Sequence, residues 1–91
     1  MEKEVYKENE KIFKALANRR RLAIIAYLKK DKEATVGEVA RKLKLSFNAT
    51  SKHLRILYLA DIVEEDQRAL EVYYRLSQTP PTVFKSALFH L

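Results

Sequence analysis

Residues 46–60, SFNATSKHLRILYLA, hold the groups of this chain best suited to act on another molecule. At 3.6-residue spacing, Asn48, Ser51, Lys52 and Arg55 share one face of a helix. Thr50, Leu54, Leu57 and Tyr58 fall roughly opposite and read as the core face. An asparagine amide pairs with adenine through two hydrogen bonds, and a serine hydroxyl suits either kind of base edge. A lysine or arginine bonds guanine or a phosphate. Together these groups suit the major groove of DNA. No acid stands between Glu38 and Asp61, whereas Arg41, Lys42, Lys44, Lys52 and Arg55 all do. A one-sign stretch inside a folded region points to a polyanionic partner, nucleic acid first. The competing reading is a solvated basic face on a lysine-rich protein.

The neighbouring residues extend the set. Ser46 is placed to cap the helix, and its first turn holds no acid, so the positive end of the helix dipole stays open to a phosphate. Phe47 has two readings, contact with a thymine methyl or packing onto Leu45. His53 lies between the two stripes, beside Ala49, Ile56 and Ala60. It reads as structural, or as a phosphate donor, sooner than as a pH switch. Lys42 and Lys44 flank the helix. Arg19, Arg20 and Arg21 are secondary candidates for backbone contact.

Composition excludes several other classes. The chain has 91 residues, a net charge of +6 and no cysteine. Disulfides and thiolate metal sites are therefore ruled out. With a single glycine, only His53 and His90 as near-neutral bases, no nucleophile–base pair and no phosphate loop, an enzyme is not expected. The opening MEKEVYKENEK is charged throughout and does not read as a signal peptide. No apolar run approaches the ~18 residues of a membrane span. The expectation is a cytoplasmic protein with no membrane partner. A hydrophobic share of 47% argues against disorder, and so short a chain gains from oligomerisation.

The elements that must position the helix follow from periodicity and caps. A first helix is predicted over 4–16, with Val5, Asn9, Ile12, Phe13 and Leu16 on one face. Asn18 caps a second over 19–30, apolar almost all round from Leu22 to Leu28 and hence central. Thr35 and Glu38 form a capping box that opens a third over 36–43. A tight connection leads to the helix over 47–60. Ile62 and Val63 start one strand, and Val72, Tyr74 and Leu76 alternate along another, with the charged segment between them as the hairpin tip. Thr79-Pro80-Pro81 ends the strand and starts a last helix with an apolar stripe of Val83, Phe84, Ala87, Leu88 and Leu91. The predicted fold is mainly α with a small β-hairpin: a winged helix-turn-helix of roughly five helices and a two-stranded wing. Residues 1–91 form one DNA-binding domain.

Four stretches resemble the ArsR/SmtB family of small winged-helix repressors. They are IFKALANRRRLAIIAYL, TVGEVARKLKLSFNATSKHLRIL, YLADIVEED and VYYRL, covering about residues 12–77. Ser51-x-His53-Leu54 and the Val-Tyr-Tyr-Arg-Leu run at 72–76 are the specific pair. The resemblance implies a homodimer that represses from a palindromic operator in double-stranded DNA. It implies that the wing reaches the DNA, with Arg68 at the tip and Arg75 on the second strand as the contacts. The family's metal sensor has cysteines where Thr35 and Gly37 stand, and its other metal site draws on a last helix that here offers only His90. No metal and no cofactor are therefore expected, and the effector stays unassigned. The family's usual glycines are replaced by Asp61 and Ala69.

The first and last helices, 1–16 and 80–91, carry apolar stripes larger than a small core covers, which marks an association surface. Val5, Ile12, Phe13, Phe84, Leu88 and Leu91 are placed there. A symmetric dimer would set two recognition helices one DNA turn, ~34 Å, apart. The alternative reading is a winged-helix module that binds protein instead.

Overall fold

The computed structural model describes residues 2–91; Met1, the first residue of the predicted 1–16 dimerisation segment, lies outside the described residues. The elements run α1 (Glu2–Leu16), α2 (Arg19–Asp31), β1 (Ala34–Thr35), α3 (Val36–Leu43), α4 (Phe47–Leu59), β2 (Val63–Arg68), β3 (Glu71–Leu76) and α5 (Thr82–Leu88). This is a winged helix-turn-helix.

Each helix starts where its cap chemistry requires. Asn18 Oδ1 accepts from the Arg20 and Arg21 amides at 3.0 and 3.1 Å. The Thr35–Glu38 box closes in both directions, at 3.2 and 2.9 Å. Ser46 Oγ accepts from the Ala49 amide at 3.0 Å. Such caps satisfy backbone donors that helix geometry leaves open, each contributing about 1 kcal/mol.

The core forms where the apolar faces converge. Ile24, Ile25 and Leu28 of α2 meet Val39 of α3, Leu54 and Leu57 of α4, Ile62 and Val63 after it, Tyr74 of β3 and Phe84 of α5. Ile12 and Ala15 close it from α1. The buried hydroxyl of Thr50 donates to Ser46 O at 2.8 Å, so α4 can bury a polar residue without loss.

The structure corrects the sequence reading at several places. Phe84 has no exposed surface and Ile12 only 5%, so both belong to the protomer's own core and not to a partner surface. Tyr58 is exposed rather than part of the core stripe of α4. The segment over 64–68 is not a hairpin tip; it is β2 itself, paired residue by residue with β3 from Val63–Leu76 to Arg68–Glu71. The turn is only Ala69–Leu70. The sheet has three strands, in the order β1-β3-β2, because Ala34 and Thr35 pair with Tyr74 and Tyr73. The last helix begins at Thr82 rather than near Pro80 and ends at Leu88.

Where glycine would ordinarily stand, other residues adopt the left-handed conformation: Lys44 (φ 56°), Asp61 (φ 60°) and Ala69 (φ 54°). At Lys44 and Asp61 the helix ends are tied in Schellman fashion, by Leu45 N to Ala40 O at 2.9 Å and Ile62 N to Leu57 O at 3.0 Å. The turns thus keep their geometry without glycine, at a cost in backbone strain. Ala69→Gly is expected to raise stability by about 0.5–1 kcal/mol, because relief of the left-handed strain exceeds the extra chain entropy lost. Asp61→Gly should gain less, since aspartate tolerates this conformation better. Urea unfolding of the three proteins checks this; a destabilised Ala69→Gly would contradict the assigned turn.

Candidate nucleic-acid interface

The body holds α4 by Thr50, Leu54 and Leu57, all without exposed surface. The opposite side therefore faces out. Asn48, Lys52 and Arg55 are exposed, and Ser51 is half-buried beside them. Lys42 and Lys44 are exposed on the approach from α3. Among the described residues, Arg41, Lys42, Lys44, Lys52 and Arg55 form no ion pair. Arg55 lies 5.9 Å from the centroid of the Tyr58 ring, the distance limit of a cation–π contact, which leaves its donors available. Ser46, its hydroxyl bound to the Ala49 amide, serves the helix start as a cap. The first turn carries no acid. The face thus presents an amide, a hydroxyl and two cations on a rigid helix, with the helix dipole adding to the positive field.

Phe47 is 59% exposed. With Thr35, Arg41, Tyr73 and Leu70 it lines a shallow cleft between the helix-turn-helix and the wing. Leu70, at the wing tip, is 98% exposed. The sequence reading passed over it, although a leucine inside the charged run from Glu64 to Glu71 was the available signal.

The wing arginines are not the open contacts that the resemblance implied. Arg68 donates through both terminal nitrogens to Glu33 at 2.7 Å each and through Nε to Asp66 at 2.9 Å. It also lies over the Tyr73 ring at 4.4 Å. Arg75 pairs with Glu64 at 3.1 Å and with Asp66 at 3.5 Å. These contacts fold both guanidiniums onto the protein's own acids. They give Glu64 and Asp66 local partners, so the acids on the wing do not stand as bare charge. Glu33 had no role in the sequence reading because it pairs with a residue 35 positions away.

Electrostatics follow from this pairing. The Arg68 hydrogen bonds hold the carboxyls of Glu33 and Asp66 below the usual carboxylate range, and the Gln78 amide does the same for Glu64. Arg68 is in turn raised, first by Glu33 and then by Asp66. The Tyr74 hydroxyl, donating to Glu65 at 2.9 Å, is pushed up to about 12 by burial and then by that bond.

His53 is half-buried and meets Arg21 rather than solvent alone. Arg19 and Arg20 are exposed, whereas Arg21 is turned inward. Away from α4, Val5, Tyr6 and Phe13 of α1 are exposed, Phe13 at 56%. Leu88 and Leu91 are half-buried against the core. Gly37 follows a structural cap, Thr35, at the positions where the resemblance placed cysteines. No helix among the described residues is long and apolar enough to cross a membrane.

Comparison with known proteins locates the same unit. The helix-turn-helix domain family matches residues 16–66. The transcriptional activator HlyU of Vibrio cholerae is 43% identical over 68 residues, which span 75% of this chain and 62% of HlyU. The transcriptional repressor SdpR of Bacillus subtilis is 31% identical over 68 residues, 75% of this chain and 74% of SdpR. The structure of reduced HlyU matches with a TM-score of 0.80 at 35% identity, over 98% of this chain and 90% of that one. A homodimeric winged helix-turn-helix DNA-binding domain from Mycobacterium bovis, a possible ArsR-family regulator, matches at 0.84 over 98% of this chain and 79% of that one. At 24% identity it attests the shared fold alone.

The wing's ion pairs give a pH dependence. A carboxylate whose folded pKa lies below its unfolded value stabilises the fold above the unfolded pKa. It loses that contribution as pH falls through the folded one. The brace from Glu33 and Asp66 to Arg68 should therefore be complete at neutral pH and loosen only on acidification below about 4. Glu33→Gln should loosen it at neutral pH. Nuclear magnetic relaxation of the amides of residues 66–71 reads both effects. Unchanged order in Glu33→Gln would rule out the brace.

Proposed function

Because the chain belongs to the helix-turn-helix family, among winged transcriptional regulators of the ArsR/SmtB type, we propose that it is a sequence-specific regulator of transcription that binds double-stranded DNA. The observation that carries this reading is the outward face of α4. It joins Asn48, Ser51, Lys52 and Arg55 on a capped helix, with no acid in its first turn and, among the described residues, no ion pair on its cations. Asn48 and Ser51 read base edges in the major groove. Lys52 and Arg55, with Lys42 and Lys44 on the flank, bind phosphate or guanine. Phe47 meets a thymine methyl. Arg68 and Arg75 have no direct part, and the wing approaches through its tip at Leu70.

The regulator acts as a homodimer on a palindromic operator. Val5, Tyr6 and Phe13 of α1 form the partner surface together with Leu88 and Leu91. The exposed apolar area on α1 supports this, since a solvated helix face rarely keeps two aromatic rings. Where the operator overlaps the promoter, its occupation excludes other proteins and the regulator represses. HlyU is named as an activator and SdpR as a repressor, so the outcome depends on where the operator lies. The protein works in the cytoplasm, and by binding rather than by catalysis.

A gel shift on fragments of the protein's own promoter tests the reading. Affinity should be submicromolar at moderate salt, and log affinity should fall with log salt by about 0.9 per phosphate neutralised. No binding tighter than micromolar would end it. Lys52→Ala should weaken all sequences alike. Asn48→Ala should relax preference at one base position, at about 1–3 kcal/mol. Equal losses on specific and random DNA would remove Asn48 from base reading. Phe13→Glu should shift the protein toward monomer in sedimentation and weaken operator binding; an unchanged sedimentation coefficient would place the interface elsewhere.

A further inference from the structure

Arg21 is the side chain that ties the end of α1 to α4. Its Nε donates to Ala15 O at 2.6 Å and Nη2 to Lys14 O at 3.1 Å, while Nη1 lies 3.3 Å from His53 Nδ1. The last turn of a helix leaves four carbonyls without helical partners. In α1, Phe13 O is taken by the Ala17 amide at 2.9 Å and Leu16 O by the Asn18 amide at 2.8 Å. Arg21 takes the two that remain. A cation at a helix C-terminus is also favoured by the helix dipole.

The third contact has a chemical consequence. A guanidinium has five donors and no acceptor, and it does not deprotonate in proteins. The nitrogen it meets must therefore accept, so His53 Nδ1 carries no proton. The neutral ring carries its proton on Nε2. Burial first, then Arg21 and Arg20, lowers the His53 pKa from its ordinary value, which keeps the ring neutral near pH 7. A neutral ring with Nε2–H is a single, fixed donor on the boundary of the recognition helix.

We propose that Arg21 is a positioning residue for DNA binding. Its guanidinium fork locks the α1 end to His53, fixing both the tautomer of the imidazole and the setting of α4 relative to the helix that carries the exposed apolar surface. The proposal rests on the DNA-binding reading above. It separates Arg21 from Arg19 and Arg20, whose exposed side chains are suited to the phosphate backbone.

Nitrogen-15 spectra of the full-length protein without DNA read the contact directly. In the wild type, His53 should show a protonated Nε2 and an accepting Nδ1. Arg21→Met keeps the packing of the stem and removes the fork. It should mix the tautomers, raise the His53 titration midpoint toward its ordinary value, and lower operator affinity about tenfold beyond any loss on random DNA. Arg20→Met should weaken operator and random DNA alike. Arg21→Lys restores the charge without the fork and should not restore operator affinity. A wild-type His53 protonated on Nδ1 would overturn the proposal without any variant. So would an unchanged ratio of operator to random affinity in Arg21→Met, or rescue by Arg21→Lys. If the wild type binds no DNA while His53 shows the expected tautomer, the functional reading fails and the positioning role falls with it. If the wild type binds and the ratio is unmoved, only the positioning role fails.

Discussion

Burial of Thr50, Leu54 and Leu57 is the constraint on which the rest of the structure depends. A 13-residue helix in so small a domain can present a full outer face only if its inner face is completely engaged. Two leucines without exposed surface contribute several kcal/mol of apolar burial between them, about 1.5–3 each. Thr50 adds no apolar gain of that size, but its hydroxyl is satisfied by Ser46 O, the same residue whose side chain caps the helix. Ser46 thereby serves the start of α4 twice, through its hydroxyl and its carbonyl. The core residues of α2, α3 and β2 are the surface against which α4 is held.

The charge distribution is the second organising fact. The chain carries +6 overall, but its arginines and lysines are used in two different ways. On the wing, Arg68 and Arg75 are matched by Glu33, Glu64 and Asp66; the Arg68–Glu33 pair ties the hairpin to the turn after α2, and the other pairs lie within the hairpin. Exposed pairs of this kind stabilise little, and their worth lies in fixing orientation. From Arg41 to Arg55 the cations have no such partners among the described residues. The positive charge of α3 and α4 coincides with the groups able to read base edges. A polyanion meeting this protein would be drawn to the unpaired cations of α3 and α4 before the paired arginines of the wing.

Much of this was legible in the sequence because it is local. Asn18, Thr35 with Glu38, and Ser46 announce helix starts through bonds that span two or three residues, and all three form. The 3.6-residue pattern separated Leu54 and Leu57 from Asn48, Lys52 and Arg55 correctly. What escaped is long-range. Strand β1 is two residues long and exists only because β3 offers it a partner. Arg68 and Arg75 look open in the sequence, since nothing there says that Glu33 will lie beside the hairpin. Ile12 and Phe84 carry the same apolar signature as Phe13 and Leu88, and periodicity cannot tell a core residue from a partner contact on a helix that packs from one side only. Tyr58 fits the inward stripe by spacing, yet it stands exposed at the edge of that stripe.

The turn after α2 connects these levels. Lys32 adopts φ 74° and ψ −47°, and the Glu33 amide donates to Asp31 O at 2.9 Å across it. This is a γ-turn of the strained hand, a conformation that side chains other than glycine rarely adopt. Strain of this kind costs on the order of 1–3 kcal/mol and persists only where the surroundings over-determine it. Here they do. Leu28 O accepts the Lys32 amide, Ala34 pairs with Tyr74 one residue beyond Glu33, and Glu33 itself holds Arg68. The strained turn reverses the chain in the shortest length, so that Glu33 emerges level with the second half of the wing. A looser turn would relieve Lys32 but set Glu33 out of reach of Arg68. The strained turn is thus held by one helix carbonyl, one strand pair and one ion pair, and it sets Glu33 beside the wing.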